Sequence, residues 1–199
     1  MEIQPIFDTE GVDMQNYYFY DNGFNEEEIK KIIELVEVLP SREGLTSNSG
    51  QADKSIRSSN IKWLPKNDSF GWIYFKLMEM AVQANKTLWN FNLYSVLDSI
   101  QYTEYHATQN GHYGWHQDIG DGNISKRKVS IVVQLSDPSE YEGGDLQYFK
   151  GGDPNNADSV HKKKGFVFIF PSYMMHRVTP VTSGIRKSLV LWVGGEHYK

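Results

Sequence analysis

At 199 residues the chain is long enough to close a sizeable core without crosslinks, and one core with an elaborated edge is the default. A formal charge of −5 leaves no broad cationic surface to neutralise a phosphate backbone, so non-specific nucleic-acid binding is not expected, although a nucleic acid placed tightly as substrate is not excluded. The absence of cysteine excludes disulfides, thiolate zinc sites and cysteine nucleophiles, so any metal must be held by nitrogen and oxygen. The 5 Trp, 12 Tyr and 10 Phe, with many Val and Ile, favour half-buried strands over a helical bundle. Met1 to Gly11 is acidic and polar, and no apolar run approaches the roughly 20 residues that span a bilayer, which predicts a cytoplasmic protein without a membrane partner.

In chain order, Tyr17-Tyr18-Phe19-Tyr20 predicts a short aromatic strand closed by the turn signal Asp21-Asn22-Gly23. A helix follows. Asn25 is placed to cap it, Glu26, Glu27 and Glu28 suit its dipole, Ile29, Ile32, Ile33 and Val36 form one apolar stripe, and Pro40 stops it. From Ser41 to Ser59 the chain is polar and aperiodic, which predicts a long mobile loop of the kind often kept for function. A second helix is predicted from Asp68 to about Asn85, burying Phe70, Ile73, Leu77, Met80 and Ala81.

The pattern changes at Tyr94. Short apolar segments punctuated by Gly, Asp, Asn and Pro predict strands at Val96 to Tyr105, Tyr113 to Gln117, Val129 to Leu135, Asp145 to Phe149, Phe166 to Phe170, Arg177 to Val181 and Ser188 to Val193. No helices alternate with them, so a parallel sheet is disfavoured and a sandwich or jelly roll is expected. The reading is a mainly β fold with flanking helices, one domain over 1–199. Its helix-rich support covers about 1–93 and its jelly-roll core about 94–199.

His116-Gln117-Asp118 is the most informative triplet, because residues i and i+2 of a strand share a face and can reach one ion. Alone it is a common pattern that also suits a polar strand end. His176, after the strand ending at Phe170 and the turn Pro171-Ser172, adds a third ligand at the mouth of a later strand. Two His and one carboxylate on one face of a metal leave positions open, which suits non-haem iron(II) activating oxygen; zinc accepts the same ligands. His112 has a zincin-like spacing to His116, but Gly111 and Gly114 argue against a helix there. His106, His161 and His197 read as surface or rim residues.

Arg186, ten residues beyond His176, opens the predicted last strand. A guanidinium presented into a β-sandwich beside a metal is costly unless it meets an anion, and its planar fork matches the distal carboxylate of a dicarboxylate. Tyr105 and Ser188 are placed to add hydroxyl donors. Lys162-Lys163-Lys164, before a glycine and a strand, reads as a solvated turn rather than a docking patch.

Several stretches together resemble the iron(II)- and 2-oxoglutarate-dependent oxygenases, most closely the prolyl 4-hydroxylase-like branch that includes PKHD-type hydroxylases: Tyr113 to Asp118, Tyr141 to Leu146, Phe170 to Ser172, His176 to Val181, and Arg186-Lys187-Ser188. The resemblance implies a double-stranded β-helix, a distorted jelly roll, with iron(II) on His116, Asp118 and His176 and 2-oxoglutarate held by Arg186. It implies dioxygen as the oxidant and ascorbate as an auxiliary reductant, with hydroxylation of an unactivated C–H bond and release of succinate and carbon dioxide. Tyr105 takes the place of the tyrosine that bonds the 2-oxoglutarate distal carboxylate, with Tyr102 and Tyr113 as alternatives. Gln134 stands where several relatives carry a tyrosine facing the co-substrate, and Trp192 matches a pocket-lining aromatic. Ile56 to Leu64 resembles the strand beside the substrate loop, making Arg57 and Trp63 candidate substrate contacts.

A peptidyl proline is the favoured substrate, in a peptide or an exposed protein loop. The competing readings are a free amino acid, a small metabolite or an alkylated base as substrate, and, from another class, a metal-binding jelly-roll module without turnover.

Overall fold

The computed structural model describes residues 16–45, 53–149 and 157–197. In chain order the elements are β1 (Tyr18–Tyr20), α1 (Glu26–Glu37), β2 (Arg42–Glu43), β3 (Arg57–Ser58), β4 (Asn60–Leu64), α2 (Asp68–Leu88), β5 (Leu93–Val96), β6 (Ile100–His106), β7 (His112–His116), β8 (Arg127–Gln134), β9 (Tyr141–Gly143), β10 (Leu146–Phe149), β11 (Ala157–Ser159), β12 (Val167–Pro171), β13 (His176–Val178) and β14 (Val181–Gly195). The larger sheet runs β1-β12-β8-β14-β6-β4-β2, with β5 and β9 also on β14, and the smaller runs β11-β10-β13-β7-β3. The core pairings are antiparallel, as in the expected jelly roll with flanking helices.

Strand alternation divides the interior in two. Val129, Ile131 and Val133 of β8, Val167 and Ile169 of β12, Leu189, Leu191 and Val193 of β14, and Ile100 and Tyr102 of β6 face the helices. There they meet Ile29, Ile32 and Val36 of α1 and Phe70, Ile73, Leu77 and Ala81 of α2. The intervening residues turn toward the smaller sheet. At one end these are apolar, with Phe166, Phe168 and Phe170 against Leu146, Tyr148 and Val178. At the other they are polar, and that end holds the site.

The first helix begins as predicted. Asn25 Oδ1 accepts from the Glu28 amide and Glu28 Oε2 accepts from the Asn25 amide, both at 2.9 Å, a reciprocal cap. The same Glu28 carboxylate meets Lys76 on α2 at 2.5 Å, so the cap also ties the helices together.

Three sequence expectations change. The predicted loop from Ser41 to Ser59 contains β2 and β3, which extend the two sheets by backbone pairing that their polar sequences do not advertise; its residues 46–52 lie outside the described part. The predicted strand from Val96 to Tyr105 breaks between β5 and β6, where Asp98 turns aside to take Arg127. Arg186 lies well inside β14 rather than opening it, because Gly184 at φ +69° carries the bend that would otherwise end the strand.

Ile73→Ala, which empties a fully buried position between α2 and the sheet, is expected to cost about 2–5 kcal/mol. Asn25→Ala should cost about 1 kcal/mol, or roughly 2–4 °C in Tm, by loss of the cap. Calorimetric unfolding of both variants checks the ranking, and equal effects would contradict it.

Candidate active site

The β7–β13 pairing sets His116 opposite His176 across the smaller sheet. Asp118 completes a cluster whose ligand atoms all lie within 4.8 Å of one another. Its two carboxylate oxygens are 3.8 Å from His116 Nε2 and 3.7 Å from His176 Nε2. Asp118 does not belong to the strand, however. The strand β7 ends at His116, and the carboxylate is brought round by the turn that follows, where the Asp118 amide donates to the Ser172 carbonyl at 2.9 Å. The alternation argument therefore named two residues that do lie together, but it is the turn and not a shared strand face that joins them.

Both imidazoles are oriented by the same local device. Nδ1 of His116 lies 2.8 Å from the Gly114 carbonyl and Nδ1 of His176 lies 2.9 Å from the Met174 carbonyl, in each case two residues back. A carbonyl can only accept, so each Nδ1 carries a proton and each ring turns Nε2 toward the centre. Burial, reinforced by the charge of His176, pushes the His116 imidazole down to about 3, so it stays neutral at ordinary pH. Burial alone would raise the Asp118 carboxyl. His176, His116, the Ser130 hydroxyl and Arg127 outweigh it and hold the group below its usual range.

Ser130 donates to Asp118 Oδ2 at 2.6 Å, which uses its only hydrogen; the 2.9 Å contact with Ser172 is therefore donated by Ser172. Neither serine was picked out from sequence. A polar residue on the inward face of the apolar run Val129 to Val133 was the available signal.

A cavity of about 540 Å³ opens on this cluster. Arg186, Tyr105 and Ser188 line it, on the inward face of β6 and β14. Arg186 is 1% exposed, and among the described residues it has no carboxylate partner. Nη2 donates to Gln134 Oε1 at 2.9 Å and Nη1 reaches Ser188 Oγ at 3.5 Å, while Nε and the Gln134 amide nitrogen are buried donors without an acceptor. An anion between the triad and this end of the cavity would satisfy them. Gln134 thus backs the guanidinium rather than lining the cavity. Tyr105 is the cross-strand neighbour of Arg186, with its ring 5.5 Å from the guanidinium carbon. Tyr102 packs on the helices, away from the cavity, and Tyr113 stacks on His116 at 3.5 Å.

Arg57, Trp63 and Trp192 also line the cavity. A residue absent from the sequence reading joins them. Arg127 stacks on Trp192 at 3.9 Å, grips Asp98 at 2.6 and 3.1 Å, and reaches the Asp118 carbonyl at 3.2 Å. His112 faces backbone carbonyls, His106 pairs with Glu104, and His161 lies against Phe166, all away from the triad. The basic run is neutralised within the fold, Lys162 by Asp145, Lys163 by Asp21 and Lys164 by Glu26. No helix of the described residues is long and apolar enough to cross a membrane.

Comparison with known proteins agrees with this geometry. The family model of the 2OG-Fe(II) oxygenase superfamily matches residues 100–194. A PKHD-type hydroxylase of Azoarcus sp. is 37% identical over 93 residues, 44% of this chain and 40% of that protein. Another, of Synechococcus sp., is 29% identical over 155 residues, 78% of this chain and 67% of that protein, so the chain spans two fifths to two thirds of these relatives. Among solved structures, a prolyl hydroxylase of Trichoplax adhaerens in complex with a hypoxia inducible factor peptide fragment shares the fold at a TM-score of 0.75 and 15% identity, covering 90% of this chain and 84% of that one.

If Ser130 holds the Asp118 carboxylate for an ion, Ser130→Ala should weaken manganese(II) binding by about 10–100-fold, as loss of an outer-sphere partner does at other metal sites. His116→Ala, Asp118→Ala and His176→Ala should each reduce it further. Titration calorimetry reads all four, and unchanged affinity in the three ligand variants would remove the cluster as the metal site.

Proposed function

Because the chain belongs to the 2OG-Fe(II) oxygenase superfamily, in its PKHD-type, prolyl hydroxylase-like branch, we propose that it is an iron(II)- and 2-oxoglutarate-dependent hydroxylase of a peptidyl proline. In this reading His116, Asp118 and His176 are the protein ligands of the iron, and Arg186 anchors the distal carboxylate of 2-oxoglutarate. The observation that carries it is a buried guanidinium with no carboxylate partner among the described residues, in the same cavity as a triad of two histidines and a carboxylate. When bound, iron and 2-oxoglutarate supply the oxidation: one oxygen atom of O2 enters a substrate C–H bond and the other leaves in succinate, with carbon dioxide.

The chain's own contribution is positional. The backbone carbonyls of Gly114 and Met174 fix the ring orientations, and Ser130 fixes the carboxylate. Arg186, set by Gln134, orients the co-substrate from its far end, assisted by the Ser188 and Tyr105 hydroxyls. Phe170, against the edge of the His176 ring, closes the apolar side against water. Trp63, 37% exposed, and Trp192, with ring centres 6.4 Å apart, line the cavity with aromatic surface suited to proline rings and the already ordered polyproline II shape of a peptide. The Trichoplax neighbour, whose structure holds a peptide fragment, supports a peptide substrate by its shared fold.

Arg186→Ala should raise the 2-oxoglutarate concentration needed for half-maximal succinate release by about 30-fold or more, since truncating a buried charge partner costs roughly 2–5 kcal/mol. Arg186→Lys should recover only part of this, as a point charge in place of a fork. Unchanged dependence in Arg186→Ala would move the anchor elsewhere. For the substrate, proline peptides should stimulate succinate release and gain one oxygen atom by mass spectrometry. A small metabolite that does both while a broad peptide panel does neither would overturn the peptide reading and leave the co-substrate reading standing.

A further inference from the structure

Arg57 is a second guanidinium buried on this cavity without an anion. It is 6% exposed and lines the same space as the His-Asp-His cluster. Nε donates to Ser59 Oγ at 2.8 Å and Nη1 to the Leu45 carbonyl at 3.1 Å. Its guanidinium carbon lies 4.7 Å from the centre of the Tyr113 ring, which stacks on His116, so a single ring separates this charge from the imidazole. Among the described residues no carboxylate pairs with it. Glu43, on the same cavity wall, is taken by Lys54 at 3.2 Å, and Asp98 is taken by Arg127.

The placement is built in. A Cβ on Gly44 would lie 2.6 Å from Arg57 Nε and 2.9 Å from its guanidinium carbon, so a glycine makes the room in which the fork lies. Two neutral oxygens and a ring face do not replace the water a guanidinium gives up, and the arrangement is costly until an anion arrives. 2-Oxoglutarate is not that anion, since in the reading above its distal carboxylate goes to Arg186. Arg127 already holds Asp98, and Arg42 is exposed to water. Arg57 is left with an open demand.

We propose that Arg57 recognises a carboxylate of the primary substrate, so that the bond to be oxidised lies beside an acidic group on the Tyr113 side of the cavity. The proposal rests on the oxygenase reading of the same cavity. Two sources supply such a group: an Asp or Glu side chain next to the oxidised residue of a peptide, or the α-carboxylate of a chain end or free amino acid.

The test is binding to the full chain loaded with manganese(II) and 2-oxoglutarate, read by titration calorimetry. The first probes are short blocked proline peptides with Asp or Glu beside the proline, each against its Asn or Gln twin. The second are a neutral proline peptide with a free or amidated C-terminus, and L-proline against L-prolinamide. In at least one series the acid should bind about 10–30-fold more tightly than its amide, and which series responds identifies the source. Arg57→Gln should bring that ratio to near one, and Arg57→Lys should restore part of it. Gly44→Ala, which displaces the fork without deleting it, should compress the ratio in the same way and serves if Arg57→Gln does not fold. Equal binding of acid and amide by the unmodified protein overturns the proposal, as does failure of every acid probe to bind. An Arg57→Gln variant that weakens both twins equally also overturns it, making Arg57 a wall residue that holds Leu45 and Tyr113 in place. The 2-oxoglutarate dependence of Arg186→Ala is measured apart from these ratios, so failure of the co-substrate reading is seen separately.

Discussion

A guanidinium buried inside a β-sandwich and held only by neutral oxygens imposes conditions on everything around it. Arg186 meets Gln134 and Ser188 and no carboxylate among the described residues, so the strands that carry it must present polar side chains inward for part of their length. Those same strands can then contribute little apolar surface between the sheets at that end. The loss is made good on the opposite face, where Leu189, Leu191 and Val193 of β14 and Val129, Ile131 and Val133 of β8 pack beneath the two helices. The helices are therefore a condition of the site, because they cover the apolar face of strands whose other face carries polar residues.

The triad is placed by a second economy. Each histidine is oriented by the carbonyl two residues before it, a contact within its own segment, whereas Asp118 depends on long-range contacts with Ser130 and Ser172. Ser172 also donates its amide to the Lys128 carbonyl, so the turn bearing Asp118 is fastened to the segment before β13 and through it to β8. The rings thus need only local backbone geometry, while the position of the carboxylate reports whether the two sheets are correctly apposed. If the triad holds a metal, its affinity would be coupled to sheet packing through the Ser130 hydroxyl and the Ser172 carbonyl.

Period and composition made much of this legible before any coordinates. Alternation in β8, β12 and β14 fixes which residues face the helices, and the capping pattern at Asn25 fixes where α1 begins. The triad and Arg186 were readable because each is a residue type that a β-sandwich rarely turns inward. What stayed hidden has a common cause. β2 and β3 are too short and polar to show a period, and they exist because an adjoining sheet edge offers backbone partners. Arg127 lies between Lys126 and Lys128, so its sequence neighbours say surface; only the return of Asp98 and Trp192 to its flanks makes it part of the wall.

Arg127, which the sequence hid, and Arg57, which it offered as a substrate contact, distinguish this cavity from a generic oxygen-and-nitrogen metal pocket. Arg127 is satisfied by Asp98 and spread over Trp192, which leaves it as a rigid platform at the outer end. Arg57 is more deeply buried but has no carboxylate partner among the described residues, and β3, the element that carries it, is an edge strand whose sheet pairing is to β7. A charged group on a short edge strand can shift by small amounts without disturbing the sheet behind it, whereas Arg186 in the middle of β14 cannot. The two guanidinia are therefore placed differently: Arg186 lies inside β14, between β6 and β8, and Arg57 lies on the edge strand β3.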